Sequence, residues 1–161
     1  MENGTLSEIR VVSLDRFRVA RYVVISPDPE EMVIAYMDEW AKKSGLLNQP
    51  SYRKKRIGWD FPFVTEEQQK NFGLRGYVSA YVIPDDFVPA CGGAELAFVE
   101  ADTYAVVTIT DPHSDSFATI PRAYGMLIDY AKPVSWENRL AFEEEYDKDG
   151  VHYMDVYVPM N

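Results

Sequence analysis

The segment Arg139-Leu140-Ala141-Phe142-Glu143-Glu144-Glu145-Tyr146 carries the residues best placed to do chemistry. Read as a strand, it puts Leu140, Phe142, Glu144 and Tyr146 on one face and Arg139, Ala141, Glu143 and Glu145 on the other. Glu144 is the anomaly, a carboxylate in line with Leu, Phe and Tyr. Buried without a partner, such a group is costly and tends to take up a proton. It stays an anion if tyrosine hydroxyls bond to it or if it receives a cation. A frayed strand end with all three Glu solvated is an equally open reading. Trp59, in Ile57-Gly58-Trp59-Asp60-Phe61-Pro62-Phe63, is the second candidate. It reads either as a core residue or as an aromatic wall that attracts a cation or stacks on a flat ring. Asp60 reads as a surface or turn residue.

Other reactive types offer less. Cys91 stands alone, which removes a disulfide framework, and no electropositive neighbour in sequence activates its thiol. His113 and His152 show no metal-ligand spacing, which speaks against zinc. His113 reads as a capping or surface residue near a helix start. No Ser/His/Asp, Cys/His or phosphate-loop pattern is visible, so no metal and no cofactor are expected.

The elements that position these residues follow from composition and periodicity. The chain has 161 residues, 47 % of them hydrophobic and 14 % aromatic, enough for one folded domain with a real core. Its net charge is −10, from 26 acidic and 16 basic residues, which disfavours binding to nucleic acid and favours cationic ligands. The basic run Arg53-Lys54-Lys55-Arg56 is too short to reverse this and reads as a solvated strand start. No signal-type apolar segment and no membrane-length apolar run is visible, and a cytoplasmic protein without membrane contact is expected.

One phrase is written twice: Tyr77-Val-Ser-Ala-Tyr-Val-Ile-Pro84 returns as Tyr153-Met-Asp-Val-Tyr-Val-Pro159. A period near half the chain points to a duplicated unit, and the seam between copies is a natural ligand site. Ile9 to Ser26 reads as one or two strands with a turn at Asp15-Arg16. A helix follows, with Asp28 as N-cap, Pro29 in its first position, Glu31 completing a capping box, an apolar stripe of Val33, Tyr36, Met37, Trp40 and Ala41, and Gly45 as terminator. Tyr52 to Phe63 is strand-like with Ile57, Trp59, Phe61 and Phe63 on one face, Thr65 to Gln69 is a polar turn, and the first phrase closes the unit.

The second half repeats the order. Glu95 to Thr110 is strand-like. A helix then carries Ile120, Tyr124, Leu127, Ile128 and Ala131, with its N-cap near Thr119 so that Pro121 falls in the first turn. Leu140 to Tyr146 is a strand, Asp147 to Gly150 a turn, and the second phrase ends the chain. This predicts an α+β fold, a single domain over 1–161. Two pseudo-symmetric βαββ units (9–84 and 94–159) form a largely antiparallel sheet with two helices on one face and a ligand groove between the units. Val78, Ala80 and Val82, like Met154, Val156 and Val158, are expected to pack on the helices. Tyr77, Ser79 and Tyr81, with Tyr153, Asp155 and Tyr157, take the other face.

These features together resemble the GyrI-like small-molecule-binding domain, a family of gyrase-inhibitor-like proteins and of effector-binding domains in AraC- and MerR-type regulators. The carriers are Gly93 with Tyr104-Ala105-Val106, the helix Ala123-Tyr124-Gly125-Met126-Leu127, the strand Phe142 to Tyr146, and Asp155-Val156-Tyr157-Val158-Pro159. The likeness spans Ile9 to Pro159. It implies a multidrug-type pocket for cationic, lipophilic compounds with a Glu-x-Tyr strand at its base. Glu144-Glu145-Tyr146 matches that spacing and selects Glu144; anchoring on Phe142 would select Glu143.

Tyr157 and Tyr124 fall at pocket-lining positions, and Trp59, Phe61, Tyr77 and Phe117 are weaker carry-overs. Relatives often have Gly soon after the Tyr-Ala strand where this chain has Thr110-Asp111-Pro112, implying a different groove mouth. The resemblance fits a sensor or sequestering protein, or the effector domain of a transcription regulator joined to a DNA-binding domain. It also leaves open a hydrolase of cyclopropane-bearing compounds, using Glu144 with Tyr146 or Tyr157, and a protein-binding module that meets gyrase.

Overall fold

The computed structural model describes residues 5–133, 135–136 and 139–161. The fold is α+β with mostly antiparallel strands, and the chain divides into two compact units, Phe17–Phe98 and Met1–Arg16 with Val99–Asn161. Among the described residues no helix is long and apolar enough to cross a membrane.

The unit Phe17–Phe98 contains β3 (Phe17–Ser26), α1 (Pro29–Lys43), β4 (Arg56–Phe61), α2 (Glu66–Phe72), β5 (Arg75–Ile83) and all but the last residue of β6 (Glu95–Val99), with strand order β4-β5-β3-β6. Pro29 opens α1, acidic Glu30 and Glu31 lie in its first turn and Lys42 and Lys43 in its last, matching the helix dipole. The expected capping box does not form. The Asp28 side chain makes no cap hydrogen bond, and its backbone N–H donates to Ser26 Oγ at 3.1 Å instead. Gly45, at φ 86°, takes the left-handed turn after the helix that a Cβ would strain. Val33, Met37, Trp40 and Ala41 are buried, whereas Tyr36 lies partly exposed and stacks on Tyr22 of β3 with centroids 3.9 Å apart.

The segment expected as a polar turn is helix α2. Thr65 Oγ1 accepts from the Gln68 N–H at 3.1 Å and Gln68 Oε1 accepts from the Thr65 N–H at 2.9 Å, a complete capping box. No residue of α2 is buried, so the helix lacks the apolar stripe that would have revealed it.

The other unit contains β1 (Thr5–Leu6), β2 (Arg10–Leu14), β7 (Asp102–Thr110), α3 (Ser116–Ala131), β8 (Phe142–Lys148) and β9 (Val151–Pro159). β1 and β2 pair with β7, β7 with β9, and β9 with β8, all antiparallel. Asp149 and Gly150, both at positive φ (55° and 80°), make the tight β8–β9 hairpin. Helix α3 begins earlier than expected, with Asp115 at the N-cap, so Pro121 sits inside it. The proline removes one donor, toward the carbonyl of Phe117, whose side chain is 96 % exposed; water at that open end can take up the lost bond.

The two copies of the repeated phrase are built in opposite phase. On β9, Met154, Val156 and Val158 join Ala105, Val107 and Ile109 of β7 against Ala123, Leu127 and Ala131 of α3, as expected. On β5 the tyrosine side turns to the helix. Tyr81 and Ile83 pack with Met37, Trp40 and Ala41, and the Tyr81 hydroxyl donates to Asp38 Oδ1 of α1 at 2.5 Å. Val78, Ala80 and Val82 therefore face away from α1, where the sequence expectation had them packing on it. Both faces of β5 are largely buried, so hydrophobicity alone carries no parity signal, and a one-residue change of phase reverses every side chain.

Candidate functional site

The richest constellation lies on the face of β7, β8 and β9 that points away from α3. Period two brings Phe142, Glu144 and Tyr146 of β8 to this face. The register sets each against a partner on β9: Phe142 opposite Tyr157, Glu144 opposite Asp155, Tyr146 opposite Tyr153. Phe142 and Tyr157 stack with centroids 4.4 Å apart, and Tyr104 of β7 meets both edge-on at 5.4 and 5.7 Å. Tyr146 and Tyr153 stack at 5.6 Å. Two carboxylates are thus bracketed along the strands by two aromatic pairs.

Like charges directly opposite are unfavourable, and the surroundings offset this at Asp155. Its Oδ1 accepts from the Thr108 hydroxyl at 2.6 Å and the Tyr146 hydroxyl at 3.0 Å, and Arg10 lies 3.6 Å from Oδ2. Burial, followed by the nearby Asp155, pushes the Tyr146 phenol up to about 12. Burial together with the Glu144 and Asp155 charges raises the Tyr157 phenol further. The face combines negative charge, donor hydroxyls and aromatic surface, a chemistry suited to a cation with apolar substituents.

Glu143 and Tyr124 occupy the opposite side of the same strands. The Tyr124 hydroxyl donates to Glu143 Oε2 at 2.8 Å on the α3 face, so Tyr124 does not share a face with Glu144. Phe117, at the start of α3, is exposed. The remaining candidates belong to the other unit. Trp59 pairs with Val78 and Phe61 with Gly76, and the two aromatics share the face away from α1. Phe61 also meets Phe63, which is 78 % exposed and lies beyond the strand, edge-on at 5.2 Å. Tyr77 covers Gly58 on the opposite, α1 face. Asp60 is an exposed residue inside β4 rather than a turn residue.

A second cluster went unseen in the sequence. His113, in the turn before α3, and His152, near the start of β9, both direct Nε2 at the Glu145 carboxylate. The distances are 3.2 Å from His113 to either oxygen and 2.9 Å from His152 to Oε2. The rings lie 5.7 Å apart, and Asp147 Oδ1 is 2.7 Å from His152 Nδ1. Spacing gave no hint because the histidines meet through tertiary structure: the Asp111 N–H donates to the His152 carbonyl at 2.9 Å and fastens the His113 turn to β9. Burial lowers the His152 pKa, but the bonds to Asp147 and Glu145 outweigh it and the net shift is upward.

No family model and no curated protein matches this chain. Solved structures do match its fold. The integron cassette protein VCH_CASS2 of Vibrio cholerae is 13 % identical with a TM-score of 0.53, over 99 % of this chain and 100 % of that one. SAV2435 bound to tetraphenylphosphonium is 12 % identical with a TM-score of 0.58, over 96 % and 94 %. The EcmrR C-terminal domain is 13 % identical with a TM-score of 0.62, over 94 % and 96 %. Against the EcmrR chain in its DNA complex the match spans 56 % of that chain, with a TM-score of 0.63. At these identities the likeness establishes a shared fold, one also found in a hydrolase from Listeria innocua at 9 % identity and a TM-score of 0.54.

Proposed function

We propose that this chain is a GyrI-like small-molecule-binding domain, spanning 1–161, that takes cationic aromatic compounds on the Glu144 face as a sensor or sequestering module. One observation carries the reading: Glu144 and Asp155 oppose each other between the stacked pairs Phe142–Tyr157 and Tyr146–Tyr153. A lipophilic cation gains about 2 kcal/mol from each well-desolvated aromatic face. A carboxylate adds discrimination against neutral analogues of the same shape. Glu144 lies on the aromatic face in the Glu-x-Tyr spacing of the resembled family, which makes it the ligand-facing charge in this proposal, while Asp155 beside it is held by Thr108, Tyr146 and Arg10. The same fold in a protein bound to tetraphenylphosphonium, and in the C-terminal domain of EcmrR, supports the ligand class and a role as a regulator's effector domain.

Titration with tetraphenylphosphonium tests it, with neutral triphenylphosphine oxide as control. Glu144→Gln should weaken the cation about tenfold or more and leave the neutral compound nearly unchanged, since a lost charge-assisted contact is worth about 1.5–3 kcal/mol. Equal loss for both compounds, or loss for neither, sinks the proposal. The hydrolase alternative needs a proton donor near neutral pH. Burial and the neighbouring carboxylates hold the Tyr146 and Tyr157 phenols well above that range, which favours binding over turnover.

A further inference from the structure

We propose that His113, Glu145 and His152 form a binding site for a divalent first-row transition ion, on the α3 side of the β8–β9 hairpin and separate from the Glu144 face. Two imidazoles and one carboxylate are a ligand set that such ions accept, with a further position left for water or another ligand. Three features of the geometry go beyond a chance meeting of polar groups.

The first is the choice of atom. Each histidine turns Nε2 to the same carboxylate, and the candidate ligand atoms of all three residues lie within 4.8 Å of one another. Ligand atoms of a tetrahedral zinc ion stand about 3.3 Å apart, so an inward movement of the side chains by roughly 1–1.5 Å completes coordination. The exposed His113 ring, 57 % accessible, has room to make it.

The second is the outer partner. Asp147 Oδ1 sits 2.7 Å from His152 Nδ1, where a carboxylate accepts the Nδ1 proton and leaves the Nε2 lone pair for a metal. This carboxylate–histidine arrangement fixes ring orientation and raises ligand basicity at metal centres.

The third is preorganisation. Glu145, Asp147 and His152 all lie on one face of a two-stranded hairpin, where the register pairs Asp147 directly with His152. The His113 turn is held to that hairpin by the Asp111 N–H bond to the His152 carbonyl, and is closed internally by the Ser114 hydroxyl, which donates to the Asp111 carbonyl at 3.0 Å. Imidazole ligands favour zinc, copper or nickel over magnesium or calcium, for which oxygen donors are preferred.

The test is a Zn2+ titration of the chelator-treated full chain by calorimetry, alongside NMR of the imidazole nitrogens. One Zn2+ per chain, bound with a Kd on the order of micromolar or tighter, is expected. Both Nε2 signals should shift on saturation. His113→Asn and His152→Asn should each weaken binding by tenfold or more, and Asp147→Asn by about tenfold through the lost outer contact. Because His113 lies in an exposed turn, its variant also tests the site if His152→Asn fails to fold. Glu144→Gln should leave Zn2+ affinity unchanged. No saturable Zn2+ binding, binding that survives His113→Asn at full strength, or saturation without movement of the Nε2 signals overturns the proposal and leaves a histidine–carboxylate network only.

Discussion

Glu144 and Asp155 face each other across the β8–β9 ladder, Glu144 half-buried and Asp155 buried. Asp155 is 8 % exposed and accepts hydrogen bonds from the Thr108 and Tyr146 hydroxyls, with Arg10 beside it. The two carboxylates should therefore separate under mutation, one governing stability and the other ligand charge.

Asp155→Ala leaves two inward hydroxyls without their acceptor and should destabilise the protein by about 1–3 kcal/mol. Glu144→Gln should cost less, because it removes one of two facing like charges. Urea denaturation of both variants checks this ordering. A larger loss for Glu144→Gln would mean that Glu144 is a structural ion rather than a ligand-facing one.

Acid sensitivity should be tied to Asp102 and Arg139. The guanidinium meets the carboxylate with two bonds of 2.9 Å and also donates to the Met160 carbonyl. The Arg139 bonds, working against partial burial, hold the Asp102 pKa below its ordinary 3.8. A depressed pKa contributes stability that is present above 3.8 and lost as pH falls through the lower folded value. Arg139→Gln should flatten that acid limb of the stability curve, measured as melting temperature against pH, while lowering stability at pH 7 by about 1–3 kcal/mol.

The alkaline limb has a different source. Burial lifts the phenols of Tyr52, Tyr104 and Tyr146 to about 12 from an ordinary 10. A raised phenol pKa gives stability that is intact below 10 and falls as pH climbs from 10 toward 12. Ultraviolet titration should show a late group of tyrosines whose ionisation coincides with unfolding. Tyr146→Phe should remove part of the alkaline loss of stability.

The strand-helix-strand-strand order of the second half, the hairpin turn and the alternation of Glu144 with Phe142 and Tyr146 were all legible, because turn residues and one-sided burial write a clear period. Three features were not. Helix α2 has a capping box but no buried face, so its helical signal was local and brief. The phase of β5 was hidden because both of its faces are largely buried. The pairing of His113 with His152 depends on β9 and the turn before α3 meeting in space, which sequence spacing does not record.

Gly58 offers a direct check on that hidden phase. Its φ is not in the left-handed region, so its backbone can hold alanine without strain. The obstacle is spatial. A Cβ there would lie 2.7 Å from Tyr77 Cζ, with the phenol oxygen closer still, because the Tyr77 ring covers the β4 backbone on the α1 face. Gly58→Ala must push aside a side chain that is only 7 % exposed, and should cost about 1–3 kcal/mol. In a Tyr77→Ala background the obstacle is gone, and the same change should become neutral or stabilising, since alanine restricts the unfolded chain more than glycine does. In a double-mutant cycle in urea the double variant should therefore be less destabilised than the sum of the two single variants, by more than about 1 kcal/mol. Independent, additive effects would place Tyr77 on the Trp59 face after all, and would return it to the aromatic wall from which the observed register removes it.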